Sequence, residues 1–159
     1  MKIDKKKAQT ILIFVAAISF FLLMRHFLVS EEDRVKAVIS HGRAAIERED
    51  FEGALKHVSR DYRDEYGLNK MAIAAILKRV YAEFDDIAIE VGEIEVQFPE
   101  KELSRTAFDT WVTFRTEEGI GYLVGSFEEP CRVTFTLAKE GGKWRVIEVE
   151  GITPEGVYR

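Results

Sequence analysis

The apolar residues of this chain follow three successive patterns: a continuous run, then helical spacing, then strict alternation. Residues 11–24 contain no charge, and the apolar run continues to residue 29 after Arg25 and His26. A helix needs about 20 residues to cross a bilayer, and a long arginine side chain near its end can reach the headgroups. The pattern therefore predicts a transmembrane helix over residues 10–29.

A cleaved signal peptide is the alternative interpretation, because it has a similar basic start and apolar centre. Leu28 and Ser30 do not form the pair of small residues that a cleavage site requires. This departure favours an uncleaved anchor.

The charges on either side of the apolar run predict its orientation. Four lysines precede the run, and three acidic residues follow it at 31–33. The positive-inside rule places the N-terminus in the cytoplasm and the rest of the chain on the extracytoplasmic side of the inner membrane, in the periplasm where the cell has one. We predict a cytoplasmic basic tail at 1–9, a signal anchor at 10–29 and one domain at 30–159.

Three helices are predicted at the start of that domain, from apolar residues at helical spacing and from capping residues. Ser30 with Asp33 resembles a capping box, and apolar residues then recur at helical spacing over 35–46. Asp50 can cap a second, shorter helix. The third helix carries one apolar stripe, which consists of Ile73, Ile76, Leu77, Val80, Tyr81 and Phe84.

Beyond Asp86 the apolar residues alternate, which is typical of strands. Residues 87–91 and 94–98 alternate in opposite phases, and the slip at Gly92 predicts a β-bulge that bends the strand. Residues 99–104 are predicted as a loop. Further strands are predicted at 108–114, 122–127, 131–137 and 144–149. Helices followed by four or five mainly antiparallel strands indicate an α+β fold, with three helices packed on a curved sheet.

The composition is that of a globular chain, with 47% apolar and 32% charged residues among 159. Residues 1–30 carry five basic residues and one acidic residue, so the total of −5 leaves −9 for the domain. A domain with this charge repels a phosphate backbone, which argues against nucleic acid as a partner. Cys131 is the single cysteine and is predicted to be a core residue.

Two segments resemble nuclear transport factor 2-like (NTF2-like, SnoaL-like, cystatin-like) domains. The run EREDFEGALKHVSRDYRDEYGLNKMAIAAIL combines an acidic turn between helices, an Asp-Tyr-rich stretch and a third helix, and EGGKWRVIEVE is similar to the closing hairpin. The resemblance covers Glu32 to Val149. It implies a cone, in which a bent sheet wraps round the helices and leaves a pocket at its open end. Such domains serve as enzymes, small-ligand binders and interaction modules, so the fold alone leaves the function open.

The Asp-Tyr-rich stretch is the richest in candidate chemistry and contains Asp61, Tyr62, Asp64 and Tyr66. Its similarity to steroid isomerase-like enzymes implies Asp64 as a general base in an apolar pocket, with Tyr62 or Tyr66 as hydrogen-bond donor. The alternative is a polar connection whose carboxylates cap helices. Those enzymes carry an oxyanion-binding tyrosine eight residues before the interhelical Asp50, where this chain has Gly42.

Trp111 and Tyr122 are the remaining candidate binding residues. Alternation places Trp111 opposite the apolar face of its strand, where it could contact a partner or a second copy through the sheet. The three histidines do not have metal-ligand spacing, and no phosphate loop is present, so we predict neither a metal nor a cofactor.

These features favour a membrane-anchored, non-catalytic binding or assembly module. Its predicted partners are the bilayer, a second copy and a protein of a membrane complex, because assembly proteins of type IV secretion have a similar layout. The alternative is a SnoaL-like enzyme or carrier for a small hydrophobic molecule, with Asp64 in the pocket.

Overall fold

The computed structural model describes residues 11, 13–21, 24 and 29–152. These residues fall into two compact units that divide between Arg34 and Val35. Residues 13–21 are helical, and their large apolar side chains are exposed. No helix within the described residues is long and apolar enough to cross a membrane. The predicted anchor at 10–29 also includes residues outside the described ones, and it stays a prediction.

Three helices are found where the sequence predicted them: α1 (Glu31–Glu47), α2 (Phe51–Leu55) and α3 (Lys70–Glu83). The capping box is confirmed, because Asp33 N–H donates to Ser30 Oγ at 3.0 Å and Ser30 N–H donates to Asp33 Oδ2 at 3.3 Å. Asp50 caps α2 through Gly53 N–H at 2.8 Å. Capping satisfies backbone donors that the helix itself leaves unpaired.

Within the described residues, six strands form one sheet in which all neighbouring strands are antiparallel. They are β1 (Asp85–Val91), β2 (Glu95–Glu100), β3 (Leu103–Thr116), β4 (Gly119–Val124), β5 (Cys131–Glu140) and β6 (Lys143–Glu150). The 14-residue β3 is the central strand, and it pairs with four others. The α+β prediction with a curved, mainly antiparallel sheet is therefore confirmed.

The sheet bends across the middle of β3, because the strands on both sides of β3 are interrupted there. On one side, β1 ends opposite Thr110 and β2 resumes opposite Ala107. On the other side, β5 begins opposite Thr110 and β4 ends opposite Val112. The predicted break at Gly92 is one of these interruptions.

The structure differs from the prediction in the number of strands and in two strand boundaries. Six strands replace the expected four or five, because the two segments on either side of Gly92 pair separately with β3. Pro99 lies inside β2 instead of opening a loop, which is tolerated because β2 is an edge strand whose proline need not donate. The predicted strand at 122–127 corresponds to β4, which begins and ends three residues earlier, at Gly119–Val124.

The segment after α2 runs along the outer edge of β6 and covers it. Ser59 N–H donates to Val146 O at 2.9 Å, and Val146 N–H donates to His57 O at 2.9 Å. Arg63 N–H donates to Ile147 O at 3.0 Å. An uncovered edge strand exposes unpaired backbone groups, so these bonds both protect β6 and fix the position of the segment.

The hydrophobic core lies between α1 and the concave face of the sheet. One cluster surrounds the fully buried Val35 and Leu137, together with Trp144. A second cluster joins Ile39 of α1 to Phe108 and other residues of the sheet. Helix α3 contributes no buried residue, although it is as apolar along one side as the sequence predicted. The apolar side of α3 faces a cavity and not packed side chains, so its residues are only partly buried.

Candidate functional site

A cavity of about 360 Å³ lies among α1, α3, the segment after α2 and the concave face of the sheet. Its volume is in the range of small-molecule binding sites. Of the 28 residues that line it, five have polar side chains, and these are Arg43, His57, Tyr62, Asp64 and Thr110. The rest of the wall is apolar.

Helix α3 forms one wall of the cavity with its apolar stripe. Ile73, Ile76, Leu77 and Val80 all line the cavity, at the i, i+3, i+4 and i+7 spacing that puts residues on one helix face. All four are only partly buried. The stripe therefore faces the cavity and not a packed core, and it presents apolar surface that a ligand can cover.

Gly42 leaves space in the opposite wall. It lies in the middle of α1 and lines the cavity, and a Cβ built there would meet no atom within 4 Å. Glycine costs a helix interior about 0.5–1 kcal/mol relative to alanine. Gly42 therefore faces the cavity without a side chain and supplies no side-chain hydrogen-bond donor there.

Tyr62 and Asp64 are brought together at the wall. The Tyr62 hydroxyl donates to Asp64 Oδ2 at 3.3 Å, and Tyr62 is 4% exposed. Asp64 Oδ1 accepts backbone N–H bonds from Tyr66 at 3.0 Å and Leu68 at 2.9 Å. The carboxylate therefore fixes the turn that follows it, in addition to facing the cavity.

Burial raises the pKa of the Tyr62 phenol, and the neighbouring Asp64 carboxylate adds to the shift. Both effects disfavour a phenolate. Tyr62 is therefore a hydrogen-bond donor at every pH at which the protein is expected to work. Thr110, also in the wall, donates from Oγ1 to the Glu90 carbonyl at 2.7 Å.

His57 is a cavity residue that the sequence did not single out. It follows Lys56, the residue that caps the C-terminal end of α2. The edge contacts of its segment with β6 turn it to the cavity wall. Within the described residues, two buried side-chain atoms have no hydrogen-bond partner, His57 Nε2 and the Tyr81 hydroxyl, and only His57 lines the cavity.

Burial lowers the pKa of His57, and the nearby Lys56, His41 and Arg145 lower it further. The imidazole is therefore neutral at neutral pH. A neutral imidazole carries one donor and one acceptor nitrogen, so Nε2 can hydrogen-bond to a ligand in the cavity.

Four of the predicted site residues lie outside the cavity wall. Asp61 is exposed, and Tyr66 is 47% exposed and contributes its backbone N–H to the Asp64 turn. Trp111 and Tyr122 lie on the opposite face of the sheet, since Tyr122 pairs with Thr113 and Trp111 is two residues from it on β3. Of the six predicted pocket or binding residues, Tyr62 and Asp64 line the cavity.

The convex face around Trp111 is mostly polar. Trp111 Nε1–H donates to the Ser126 carbonyl at 3.2 Å. Arg132 forms ion pairs with Glu95 at 2.7 Å and Asp109 at 3.4 Å, and other ion pairs occupy the same face. Exposed ion pairs contribute little to stability, so a partner could displace them at small cost.

Among the residues that the structure describes, no cluster of three or more His, Cys, Asp or Glu side chains could hold a metal ion. Cys131 is half-buried, and burial and the nearby Asp109 raise the pKa of its thiol. A thiol with a raised pKa is a weak nucleophile, so Cys131 acts as a packing residue.

Structural comparison identifies this architecture. A protein of Pseudomonas putida described as NTF2-like and of unknown function superposes with a TM-score of 0.57 at 17% identity, covering 72% of this chain and 80% of that one. A Nostoc punctiforme protein with a cystatin-like fold gives a TM-score of 0.55 at 16% identity, covering 79% and 97%. The domain has the NTF2-like fold.

Another protein with a similar structure is a candidate scytalone dehydratase of Novosphingobium aromaticivorans. Its TM-score is 0.65 at 13% identity, over 75% of this chain and 80% of that one. No family model matches the sequence, and no curated protein is significantly similar to it. At these identities the comparisons establish the NTF2-like fold and leave the function to the site itself.

Proposed function

We propose that the NTF2-like domain binds a small, mainly apolar molecule in its cavity, and that residues 10–29 hold it at a membrane. The observation that carries the proposal is the cavity wall, in which 23 of 28 residues are apolar or glycine. Covering such a wall stabilises a complex by about 25 cal/mol for each Å² removed from water.

The hydrogen bonds of Asp64 favour binding without catalysis. Its Oδ1 is used by two backbone N–H groups, which hold the turn, and Tyr62 occupies Oδ2. A general base needs an oxygen free to reach the substrate proton. Gly42 also leaves the opposite wall without the hydrogen-bond donor that would stabilise a developing oxyanion.

An enzyme is the second candidate, and the pairing of Tyr62 with Asp64 at an apolar wall supports it. The names of the candidate scytalone dehydratase and of a candidate aromatic ring hydroxylase with the same fold also denote enzymes. Replacement of Asp64 by Asn separates the candidates, because it removes a base but keeps an acceptor for the turn.

The membrane part of the proposal rests on the sequence. A basic tail, an apolar run and acidic residues at 31–33 support a single span with the domain on the extracytoplasmic side. A ligand that partitions into lipid would be concentrated next to a domain held there. Assembly with a second copy or a membrane-complex protein through the convex face of the sheet belongs to the same proposal, with Trp111 as the contact to test.

The proposal is tested with a photoreactive fatty alcohol that carries a diazirine in its chain. The full-length protein in native membranes is labelled, and the modified peptides are identified by mass spectrometry. We expect labelling of the α3 residues that line the cavity, between Ile73 and Val80, and competition by an excess of unlabelled alcohol. Labelling that is confined to residues 10–29 would contradict the proposal, since it would reflect lipid contact alone.

A further inference from the structure

His57 lines the cavity, and among the described cavity residues its Nε2 is the one buried side-chain atom without a hydrogen-bond partner. Leaving a buried polar group unpaired costs about 1–3 kcal/mol, so such groups are rare and call for a physical explanation. The other polar side chains of the wall behave differently. Tyr62, Asp64 and Thr110 all use their polar atoms within the protein, and Arg43 pairs with Glu47 at 3.3 Å.

The surroundings of His57 favour a negative charge. Lys56, His41 and Arg145 all lie close enough to act on the imidazole electrostatically. Arg145 also donates to the Lys56 carbonyl, which holds its guanidinium beside this segment. The Arg145 charge is partly offset by Glu140, whose Oε2 is 3.5 Å from Nε. An anion placed at Nε2 would gain attraction from Lys56 and Arg145 without displacing an existing partner of His57.

Resting on the function proposed above, we infer that the ligand is an amphiphile with a carboxylate head and an apolar body, and that His57 binds the head. The neutral imidazole, with its proton on Nε2, donates a hydrogen bond to the carboxylate. The apolar body lies along the α3 stripe and the concave face of the sheet. A hydrogen bond to a charged acceptor is stronger than one to a neutral acceptor, so His57 should select an acid over an alcohol.

The structure also suggests why the head would not be placed at Asp64. That end of the wall carries a carboxylate with its own hydrogen bonds, and a second carboxylate beside it would be repelled. The cavity wall thus has His57 and Asp64 as two of its polar groups. Of these two, only His57 attracts a carboxylate.

The test uses the photoreactive alcohol described above and measures how well three unlabelled compounds prevent labelling of α3. Decanoic acid, decanol and decylamine have equal chain lengths and differ only in the head. At about pH 7.5, where the His57 imidazole is neutral because its pKa is lowered, we expect decanoic acid to compete about tenfold better than decanol, with decylamine the weakest. Equal competition by all three in the wild-type protein would overturn the inference and leave the proposed function intact.

Three variants test whether His57 causes the preference for the acid over the alcohol. His57→Phe keeps a planar aromatic ring but removes both ring nitrogens, so it should lose the preference for the acid while decanol competes as before. His57→Gln retains an amide donor and should keep most of the preference. Lys101→Gln changes an exposed cation in the turn between β2 and β3, which does not line the cavity, and it serves as the control, with an unchanged preference expected.

The variants also distinguish a failure of the inference about His57 from a failure of the proposed function. A preference for the acid that survives in His57→Phe would show that another group binds the head, and the inference would be wrong. If His57→Phe does not fold, the glutamine variant decides, because a folded His57→Gln protein without the preference has the same meaning. No labelling of α3 in the wild-type protein contradicts the proposed function itself, and is distinguishable from both results.

Discussion

The Tyr62 hydroxyl donates a hydrogen bond to Asp64 Oδ2, 3.3 Å away, at the wall of an apolar cavity. The segment between α2 and α3 packs into the core and also holds the turn before α3, and this pair links the two functions. Tyr62 packs into the main core with Val35 and Leu137, while Asp64 holds the turn that leads into α3. Changes at either residue should therefore affect the position of the α3 wall.

Replacing Tyr62 by Phe should lower the free energy of unfolding by about 0.5–1.5 kcal/mol, because it removes one buried hydrogen bond and leaves the ring in place. Tyr66→Phe is the matched control, since that side chain is 47% exposed, and a change below about 0.5 kcal/mol is expected. Urea denaturation of both variants measures the difference. Equal effects would mean that the Tyr62 hydroxyl contributes nothing specific.

Asp64→Asn should bind apolar ligands nearly as well as the wild type, whereas Asp64→Ala should lower stability by about 1–3 kcal/mol. Asparagine keeps an oxygen for the two backbone donors, but alanine leaves both of them unpaired. Asp61→Asn, at an exposed position nearby, should have no effect. If a turnover assay with any substrate shows that Asp64→Asn abolishes activity, the domain is an enzyme and the binding account is incorrect.

Stability should fall as the pH decreases from about 7.5 towards 5.5, in part because of His57. Its pKa is lower in the folded state than the ordinary value of 6.5, so the unfolded chain takes up a proton that the folded chain resists. Stability is therefore highest above pH 6.5 and is lost on acidification. Thermal unfolding of His57→Gln should show a weaker dependence on pH than the wild type, and an identical dependence would exclude this cause.

Gly121 and Gly92 offer a matched pair of alanine substitutions in the sheet. A Cβ at Gly121 would overlap the Phe114 ring, which also packs against Phe84 at a centroid distance of 4.4 Å. Gly121→Ala should cost about 1–3 kcal/mol, as overpacking does. A Cβ at Gly92 would lie 3.4 Å from the Asp109 carbonyl, an ordinary contact, so Gly92→Ala should be nearly neutral. Differential scanning calorimetry distinguishes the two outcomes, and a neutral Gly121→Ala would mean that Phe114 can move aside.

Local patterns were sufficient to predict the helices and the bend of the sheet. Ser30, Asp50 and Asn69 act as caps because their side chains bond to backbone only three residues away, a relationship within one turn of chain. The change of phase at Gly92 is likewise a local feature. The number of strands was less predictable, since pairing of β1 and β2 with separate halves of β3 depends on distant residues.

The cavity could be predicted only in part. The resemblance indicated a pocket with Asp64 and either Tyr62 or Tyr66, but His57 enters the wall because its segment pairs with β6, nearly 90 residues away in sequence. No periodicity in the sequence encodes that contact. Trp111 and Tyr122 were candidates because aromatic side chains suit both pockets and sheet faces, and the register of β3 with β4 decides between these places.

The most direct test of the central claim is to fill the cavity from Gly42 and measure ligand binding. Gly42→Leu should project a side chain into the cavity and lower affinity for the photoreactive alcohol at least about tenfold, without lowering stability. Gly42→Ala is the control, and it should raise stability by about 0.5–1 kcal/mol and keep binding. A folded Gly42→Leu protein whose α3 residues are labelled as strongly as in the wild type would contradict the claim that the cavity is the binding site.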